Sequence, residues 1–357
     1  MLIQDIPLFG CSFVAMSIEN EEYLETEDGL FEHYHFTADP GQEPMRIDKW
    51  LMHKVANASR TKVQAAIEAG CVVVDNKTIK SNYKIKAGEN VRVLMPEAPR
   101  DTTVYPEDIP LNIVYEDDDL LVINKPAGMV VHPGYNNYSG TLVNALVYHF
   151  GELPQTNRAH RPGLVHRIDK DTSGLLVIGK TEFALSHLSK QFFEHSIHRR
   201  YWALVWGEPT PVSGTYTSYL SRDPSDRRKS KNYTQPEDGK IAITHYKTME
   251  HFYFSTLVEC ELETGRTHQI RAHFSGNGHP LFSDELYGGH EIRKGSALPK
   301  FKQFIENCFT LMPRQALHAK ELGFVHPTTG KSMMFTSELP PDFSQLLSKI
   351  RNYTTLP

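Results

Sequence analysis

Residues 163–178 of this 357-residue chain read Gly-Leu-Val-His-Arg-Ile-Asp-Lys-Asp-Thr-Ser-Gly-Leu-Leu-Val-Ile, and no other stretch constrains the fold as much. Leu175 to Ile178 is short, continuous and apolar, with β-branched residues at its end, which predicts a buried strand. Just before it, His166 to Asp171 places five charged or chargeable side chains in six residues, after a turn at Pro162-Gly163. The polar half therefore stands at the mouth of a sheet, on a rigid element and facing a cleft. That is where a chain can carry catalytic groups. For an arbitrary His-Arg-X-Asp the bland reading is a solvated loop, because charge runs usually face water.

The length calls for two or three domains. Hydrophobic residues make up 39% and charged residues 23%, the balance of a soluble enzyme. No apolar run reaches membrane-spanning length, which predicts no membrane partner. Met1 to Met16 has Asp5 and neither Lys nor Arg, so it does not read as a signal peptide. Translation starting at Met16 is an expectation, since Met1 to Ala15 matches nothing around it. Cys11, Cys71, Cys260 and Cys308 stand far apart with no zinc or redox spacing, which fits reduced thiols in a cytoplasm. Cys71 and Cys260 lie in apolar runs and read as core packing.

The net charge of −5 is unevenly divided. Residues 1–43 hold ten acidic residues and no Lys or Arg. Residues 44–95 hold ten basic and four acidic residues, a net of +6, and the remainder is near neutral. This gives an acidic extension (1–43), a small basic module (44–95), a proline-containing linker (96–109) and a large domain (110–350).

Within the extension, Phe31 to Phe36 alternates and could add a strand. In the basic module Ile47, Leu51 and Val55 share one helical face, with Trp50 beside them. Ser59 is placed to cap a second helix over Arg60 to Ala69, closed by Gly70. Val72 to Val74, the turn at Asp75-Asn76 and Thr78-Ile79 predict a hairpin, and Lys86 to Val93 predicts a turn and closing strand.

The large domain opens with two strands about an acidic turn, Ile113 to Ile123, followed by Asn124-Lys-Pro-Ala-Gly-Met-Val-Val-His-Pro133. Helices are predicted at Thr141 to Phe150 and Phe183 to Phe193, with a strand from Arg199 to Val205. Ser218 to Lys240 carries Arg222, Arg227, Arg228, Lys229 and Lys231. It reads equally as a hairpin or loop that meets RNA backbone and as a solvated loop. Ala242 to Tyr246 and Phe252 to Leu262 alternate as antiparallel strands. In Glu263-Thr-Gly-Arg-Thr-His-Gln-Ile-Arg-Ala-His-Phe274, Thr267 is placed to cap a helix with Ile270 and Phe274 inward.

Several of these strings resemble known families. The basic module resembles the S4 RNA-binding domain, in its Arg46-Ile-Asp-Lys-Trp-Leu51 helix and its Ser59-Arg60 helix ending at Gly70. The resemblance implies RNA contact through Arg46, Lys49, Arg60 and Lys62. His166 to Leu175 resembles the signature of the RluA-type family of pseudouridine synthases, which implies that Asp169 is the catalytic nucleophile. Lys125 to His132, Arg199-Arg-Tyr-Trp-Ala-Leu-Val205 and Gln269-Ile-Arg271 resemble further motifs of that family.

By this resemblance Tyr201 stacks on the target base, Arg271 pairs with Asp169, and Arg167 fills the space a flipped base leaves. His166 and Arg266 fall in the substrate neighbourhood, and Lys125 either touches phosphate or supports structure. Gly278 to Leu281, Asp284 to Gly288 and Gln315 to Ala319 also resemble the family and read as scaffold or RNA-facing loops. Leu175 to Ile178 is expected to offer an apolar wall for the detached base. Asp171 is expected to bond backbone near Thr172 and Ser173.

The implied fold is α+β: a mixed, mainly antiparallel sheet with flanking helices, plus a small α/β S4 (αL-type) domain. The implied activity is an isomerase, an intramolecular transferase, needing no redox cofactor and no metal. The implied partner is structured RNA, foremost large-subunit ribosomal RNA or the assembling subunit, with transfer RNA as the alternative. The protein is expected to be monomeric. Two other classes remain: a non-catalytic S4-type assembly factor, and another nucleoside enzyme. A deaminase would need a zinc triad, which the spacing lacks. A glycosylase would release free uracil. A two-carboxylate glycosidase built on Asp169 and Asp171 is disfavoured by their spacing at a turn.

Overall fold

The computed structural model describes residues 30–55, 58–96, 104–134, 137–151 and 163–354. The expected start at Met16, Cys11, Pro162 and half of the linker (97–103) lie outside these residues. The chain divides into two compact units, Met1–Thr103 and Val104–Pro357.

The first unit contains β1 (Phe31–Thr37), β2 (Met45–Arg46), α1 (Ile47–Lys54), α2 (Arg60–Glu68), β3 (Val72–Val74), β4 (Lys77–Thr78), β5 (Lys84–Ile85) and β6 (Asn90–Met95). Its sheet runs β1-β6-β3-β4, and β2 pairs with β5. The alternating residues after Phe31 do form a strand, and they close onto β6 from Phe31↔Met95 to Thr37↔Asn90. Ser59 caps α2 by accepting the Lys62 N–H. Asp75 and Asn76 both have positive φ, at 44° and 65°, the turn that suits a tight hairpin. Ile47, Trp50, Leu51, Val55, Val63 and Ile67 pack with Val72, Val74, Val91 and Val93 into one core.

The second unit contains β7 (Ile113–Glu116), β8 (Leu120–Lys125), α3 (Leu142–Phe150), β9 (Ser173–Gly179), α4 (Glu182–Phe193), β10 (His198–Trp206), β11 (Ser213–Arg222) and β12 (Ser230–Tyr233). Then come β13 (Lys240–His251), β14 (Ser255–Leu262), α5 (Gln269–Gly276), α6 (Pro299–Leu311), β15 (Leu317–Val325), β16 (Ser332–Thr336) and α7 (Pro341–Thr354). The sheet order is β12-β11-β13-β14-β10-β15-β9-β8-β7, with β16 on β15. Every pairing is antiparallel except β15 with β9. The sheet is therefore mixed and mainly antiparallel, with helices packed against it.

Period-two alternation distributes the core over both faces. On β9, Leu176 and Ile178 join one cluster with α3 and α5, while Leu175 and Val177 join another with α4. On β10, Tyr201, Ala203 and Val205 face the first cluster. Leu204 and Trp206 pack with α6 and α7 on the opposite face. An apolar run without polar interruptions is what a strand covered on both sides requires. Among the described residues no helix is long and apolar enough to cross a membrane.

Candidate active site

The segment before β9 is clamped before it reaches the strand. Gly163 O accepts Gly179 N–H at 2.9 Å, and Leu164 bridges to Ile178. Thr172 N–H donates to Asp169 O at 3.1 Å, which closes the turn carrying the acid. Three side chains hold the rest. Lys125 Nζ donates to Lys170 O at 3.0 Å, Arg314 Nη1 donates to Asp171 O at 2.8 Å, and His166 Nε2 accepts Val177 N–H at 3.0 Å. The carbonyl of Asp171 is thus a support, while the turn closes through main-chain atoms rather than through the Asp171 carboxylate.

Of the two roles open to Lys125, the structure fits support and not phosphate contact: it is fully buried, and its ammonium also donates to Pro126 O and Met129 O. Burial lowers its pKa to about 7, and three carbonyl acceptors favour the charged form. His166 lines the cleft and is tied to the scaffold through one ring nitrogen. Its Nε2 lone pair is taken by Val177, its ring stacks on Phe192, and burial lowers its pKa to about 3. The half-buried ring keeps Nδ1–H as a donor, while its other nitrogen and its face are committed to β9 and Phe192.

Asp169 keeps 23% of its side chain exposed. Its Oδ2 accepts from Arg271 Nη1 at 3.0 Å. The other edge of the same guanidinium grips Asp284, with Nε to Oδ2 at 2.7 Å and Nη2 to Oδ1 at 3.0 Å. Asp284 is fully buried, and Arg271 lies over the Tyr287 ring at 5.0 Å. Burial opposes the charge on Arg271, but the Asp284 and Asp169 carboxylates outweigh it and raise its pKa. The fork is thus locked in plane, with one donor left for the acid in the cleft.

Arg271 sits in α5, whose start differs from expectation. The helix begins at Gln269, after His268 in the left-handed region at φ 55°. Thr267 is not its cap. Its hydroxyl accepts from Arg167 Nη2 at 2.8 Å, joining the Asp169 segment to the segment before α5. Gln269 takes over at the helix start, accepting from Arg266 N–H and Thr264 Oγ1 and donating to Ile243 O.

Around Asp169 lies a cleft of about 840 Å³. Its apolar wall includes Val131, Leu164, Ile168, Leu262, Ile270 and Leu317. The expected wall of Leu175 to Ile178 is wrong, because those side chains are consumed by the cores on the two faces of β9. Tyr201 lines the cleft at 8% exposure, and burial raises its phenol pKa. Arg167 and Arg266 also line it, and Arg266 Nε donates to Ile241 O at 2.9 Å. Asp169, Tyr201, Arg271, Arg167 and Arg266, chosen from sequence, therefore meet in one cleft. Among the described residues no three His, Cys, Asp or Glu side chains converge as metal ligands.

Three residues of the site escaped the sequence reading: Asp284, Arg314 and His268. Asp284 stood in a stretch read as scaffold. The only available hint was that a buried arginine needs more than one acceptor.

In the first unit, buried Asp48 organises the basic surface. It accepts from Arg46 at 2.8 Å, from Arg60 at 3.2 Å and from Gln64 at 2.8 Å. The Arg46 hydrogen bond leads the factors that hold its carboxyl far below the usual range, against the cost of burial. Both arginines remain partly exposed, at 37% and 50%, and Lys49 and Lys62 are exposed on the same helix pair. In the second unit the basic stretch after Ser218 forms a hairpin, β11 with β12, from Tyr219↔Tyr233 to Arg222↔Ser230.

Residues 119–276 match a family model described as RNA pseudouridylate synthase, and residues 45–91 match the S4 domain. An RNA pseudouridine synthase of Chlorobaculum parvum is 46% identical over 323 residues, spanning 88% of this chain and 96% of the relative. A protein of Zymomonas mobilis named ribosomal large subunit pseudouridine synthase D is 44% identical over 308 residues, spanning 85% and 93%. The solved structure of human RNA pseudouridylate synthase domain containing 4 shares the fold, with TM-score 0.50 and 22% identity over 67% of this chain and 93% of that one. On likeness of this extent, the chain belongs to the RluA-type family of RNA pseudouridine synthases.

Proposed function

We propose that this protein isomerises specific uridines of large-subunit ribosomal RNA to pseudouridine, with Asp169 as the catalytic nucleophile. The observation that carries this is the Asp169 carboxylate, open to the cleft and oriented by an arginine that a second carboxylate locks in place. The substrate class is supported by relatives in Zymomonas mobilis and Nitrosomonas europaea named ribosomal large subunit pseudouridine synthase D. The S4 module of residues 44–95 offers Arg46, Lys49, Arg60 and Lys62 to RNA phosphates. Residues 110–350 carry the chemistry. The working protein is a cytoplasmic monomer that meets structured RNA or the assembling large subunit.

The reaction breaks the C1′–N1 bond, turns the base and joins C1′ to C5. The target first leaves its stack, at a cost of about a few kcal/mol. Arg167, exposed at the rim, is placed to fill the vacated space. Asp169 then attacks C1′ (removal of a ribose proton and addition at C6 are the other routes open to a single carboxylate). The detached uracil carries negative charge and must stay out of water, between Tyr201 and the apolar wall.

Pseudouridine mapping by carbodiimide and primer extension tests this in cells with and without the protein. Discrete stops in large-subunit ribosomal RNA should vanish without it. Wild type should restore them, while Asp169→Asn should bind RNA as well as wild type and restore none. Stops that persist in ribosomal RNA and vanish from transfer RNA would reassign the substrate. Stops unchanged in both would leave an RNA-binding factor.

A further inference from the structure

This inference rests on the function proposed above. Turning uridine into pseudouridine relocates one hydrogen. When C5 bonds to C1′, C5 becomes tetrahedral and a double bond joins C6 to N1. The C5–H bond then breaks, and its electron pair restores the C5–C6 double bond. The C6–N1 pair moves onto N1, which takes a proton. Nothing is oxidised, reduced or consumed. The step needs a base within reach of C5, which at that moment is bonded to C1′ beside Asp169.

The cleft offers few such bases. The arginines carry no basic lone pair. His166 has given its Nε2 lone pair to Val177, and burial raises the phenol of Tyr201, so that neither is an available base. Lys240 and His132 also line the cleft. The imidazole of His268 lies within ion-pair range, with Nε2 3.8 Å from Asp169 Oδ1.

The surroundings of His268 fix its proton. Tyr287 Oη has one hydrogen, which donates to Ser230 O at 3.1 Å, and the oxygen accepts Ser230 N–H at 2.7 Å. Its remaining lone pair takes Nδ1–H of His268 at 3.2 Å. With hydrogens assigned this way, the Nε2 lone pair faces Asp169 and the cleft. Burial lowers the imidazole's pKa and keeps it neutral at rest. The charged groups around it divide, with Asp169 and Asp284 raising that pKa and Arg271 and Arg167 lowering it. Its backbone is held at φ 55°, a conformation a non-glycine residue rarely adopts and which costs energy. That conformation turns the ring from the segment before α5 toward the acid.

We propose that His268 Nε2 takes the C5 proton after the new carbon–carbon bond forms, and that a proton returns from it to N1. As C5 displaces Asp169 from C1′, the carboxylate regains its charge beside the imidazolium that is forming. A poor contact at rest becomes an ion pair in the step that needs it.

His268→Asn tests this, because asparagine accepts the left-handed conformation and lacks the basic nitrogen. The substrate is RNA tritiated at uridine C5, and thermal unfolding verifies the fold. Tritium release should fall by about 10²–10⁴-fold, the usual contribution of a positioned base, at unchanged RNA affinity. Deuterium at C5 should slow the variant more than wild type. In His268→Gly, free imidazole should restore release. Wild-type release from the asparagine variant would overturn the proposal, and so would a loss with neither isotope sensitivity nor imidazole rescue. Wild-type protein that releases no tritium from any RNA would overturn the proposed function together with it.

Discussion

Arg271 serves two carboxylates, and the division of its donors explains the site. Asp284 takes two nitrogens deep in the fold, leaving Nη1 for Asp169 at the cleft. Removing Asp284 would leave a buried guanidinium with a single, partly exposed partner. Asp284→Ala should therefore lower stability by about 3–5 kcal/mol, the range for breaking a buried pair. It should also slow pseudouridine formation in the molecules that still fold, because Arg271 is freed to turn. Urea unfolding and single-turnover assays would check both; wild-type values in each would refute the account. At this scale the residues that meet in the cleft were legible in sequence, as Asp169, Tyr201 and Arg271 sit in distinctive strings. Their supports were not: the phosphate and structural readings of Lys125 stayed open because a lysine beside a Pro-Ala-Gly turn gives no sign that three carbonyls surround it.

The element that joins the cleft to the sheet is β9, and its weakest-looking residue is its most constrained. Gly174 has φ 116° and pairs with Ala319 across the parallel junction with β15. A Cβ there would lie 2.3 Å from Ala319 O and 2.6 Å from Ala319 N, both backbone atoms that cannot step aside. Gly174→Ala should push β9 from β15 and displace the segment carrying Asp169. We expect a stability loss at or above the ~1–3 kcal/mol typical of overpacking, with activity falling further. Thermal unfolding of the purified variant would decide; an unchanged midpoint would remove the constraint. The helices illustrate the limit of local signals. Ser59 caps α2 as its sequence predicts, whereas Thr267 is drawn to Arg167, and α5 starts one residue later than its capping pattern suggests.

At the scale of the whole molecule, the second unit holds three neutral histidines, His273 and His318 buried and His166 half-buried, whose rings bridge separate elements. His166 meets β9, His273 reaches Thr244 and Ser218, and His318 reaches Ser173 and Ser337. Burial lowers their pKa values to about 3, 4 and 4 from an ordinary value of 6.5. The unfolded chain thus binds protons that the fold refuses. Their contribution to stability is complete above pH 6.5 and is lost as pH falls toward 4. The unfolding midpoint should drop steadily between pH 7 and 4.5, with net proton uptake on unfolding. Calorimetry in buffers of different ionisation enthalpy would measure that uptake, and its absence would contradict the burial argument. The sequence by itself determined the division into a basic module and a larger α+β unit, the hairpin turn at Asp75-Asn76, the Ser59 cap of α2, the doubly covered strand and which residues line the cleft beside Asp169. Each of these is set by neighbours within a few positions. Only the tertiary structure decided which acid anchors Arg271, that Lys125 and His166 turn inward, which side chains wall the cleft, and that His268 faces Asp169. Some of those partners lie far away along the chain (Asp169 and Arg271 are 102 residues apart, Lys125 and Lys170 are 45), and even nearer ones such as Arg271 and Asp284, 13 apart, meet only once the sheet closes.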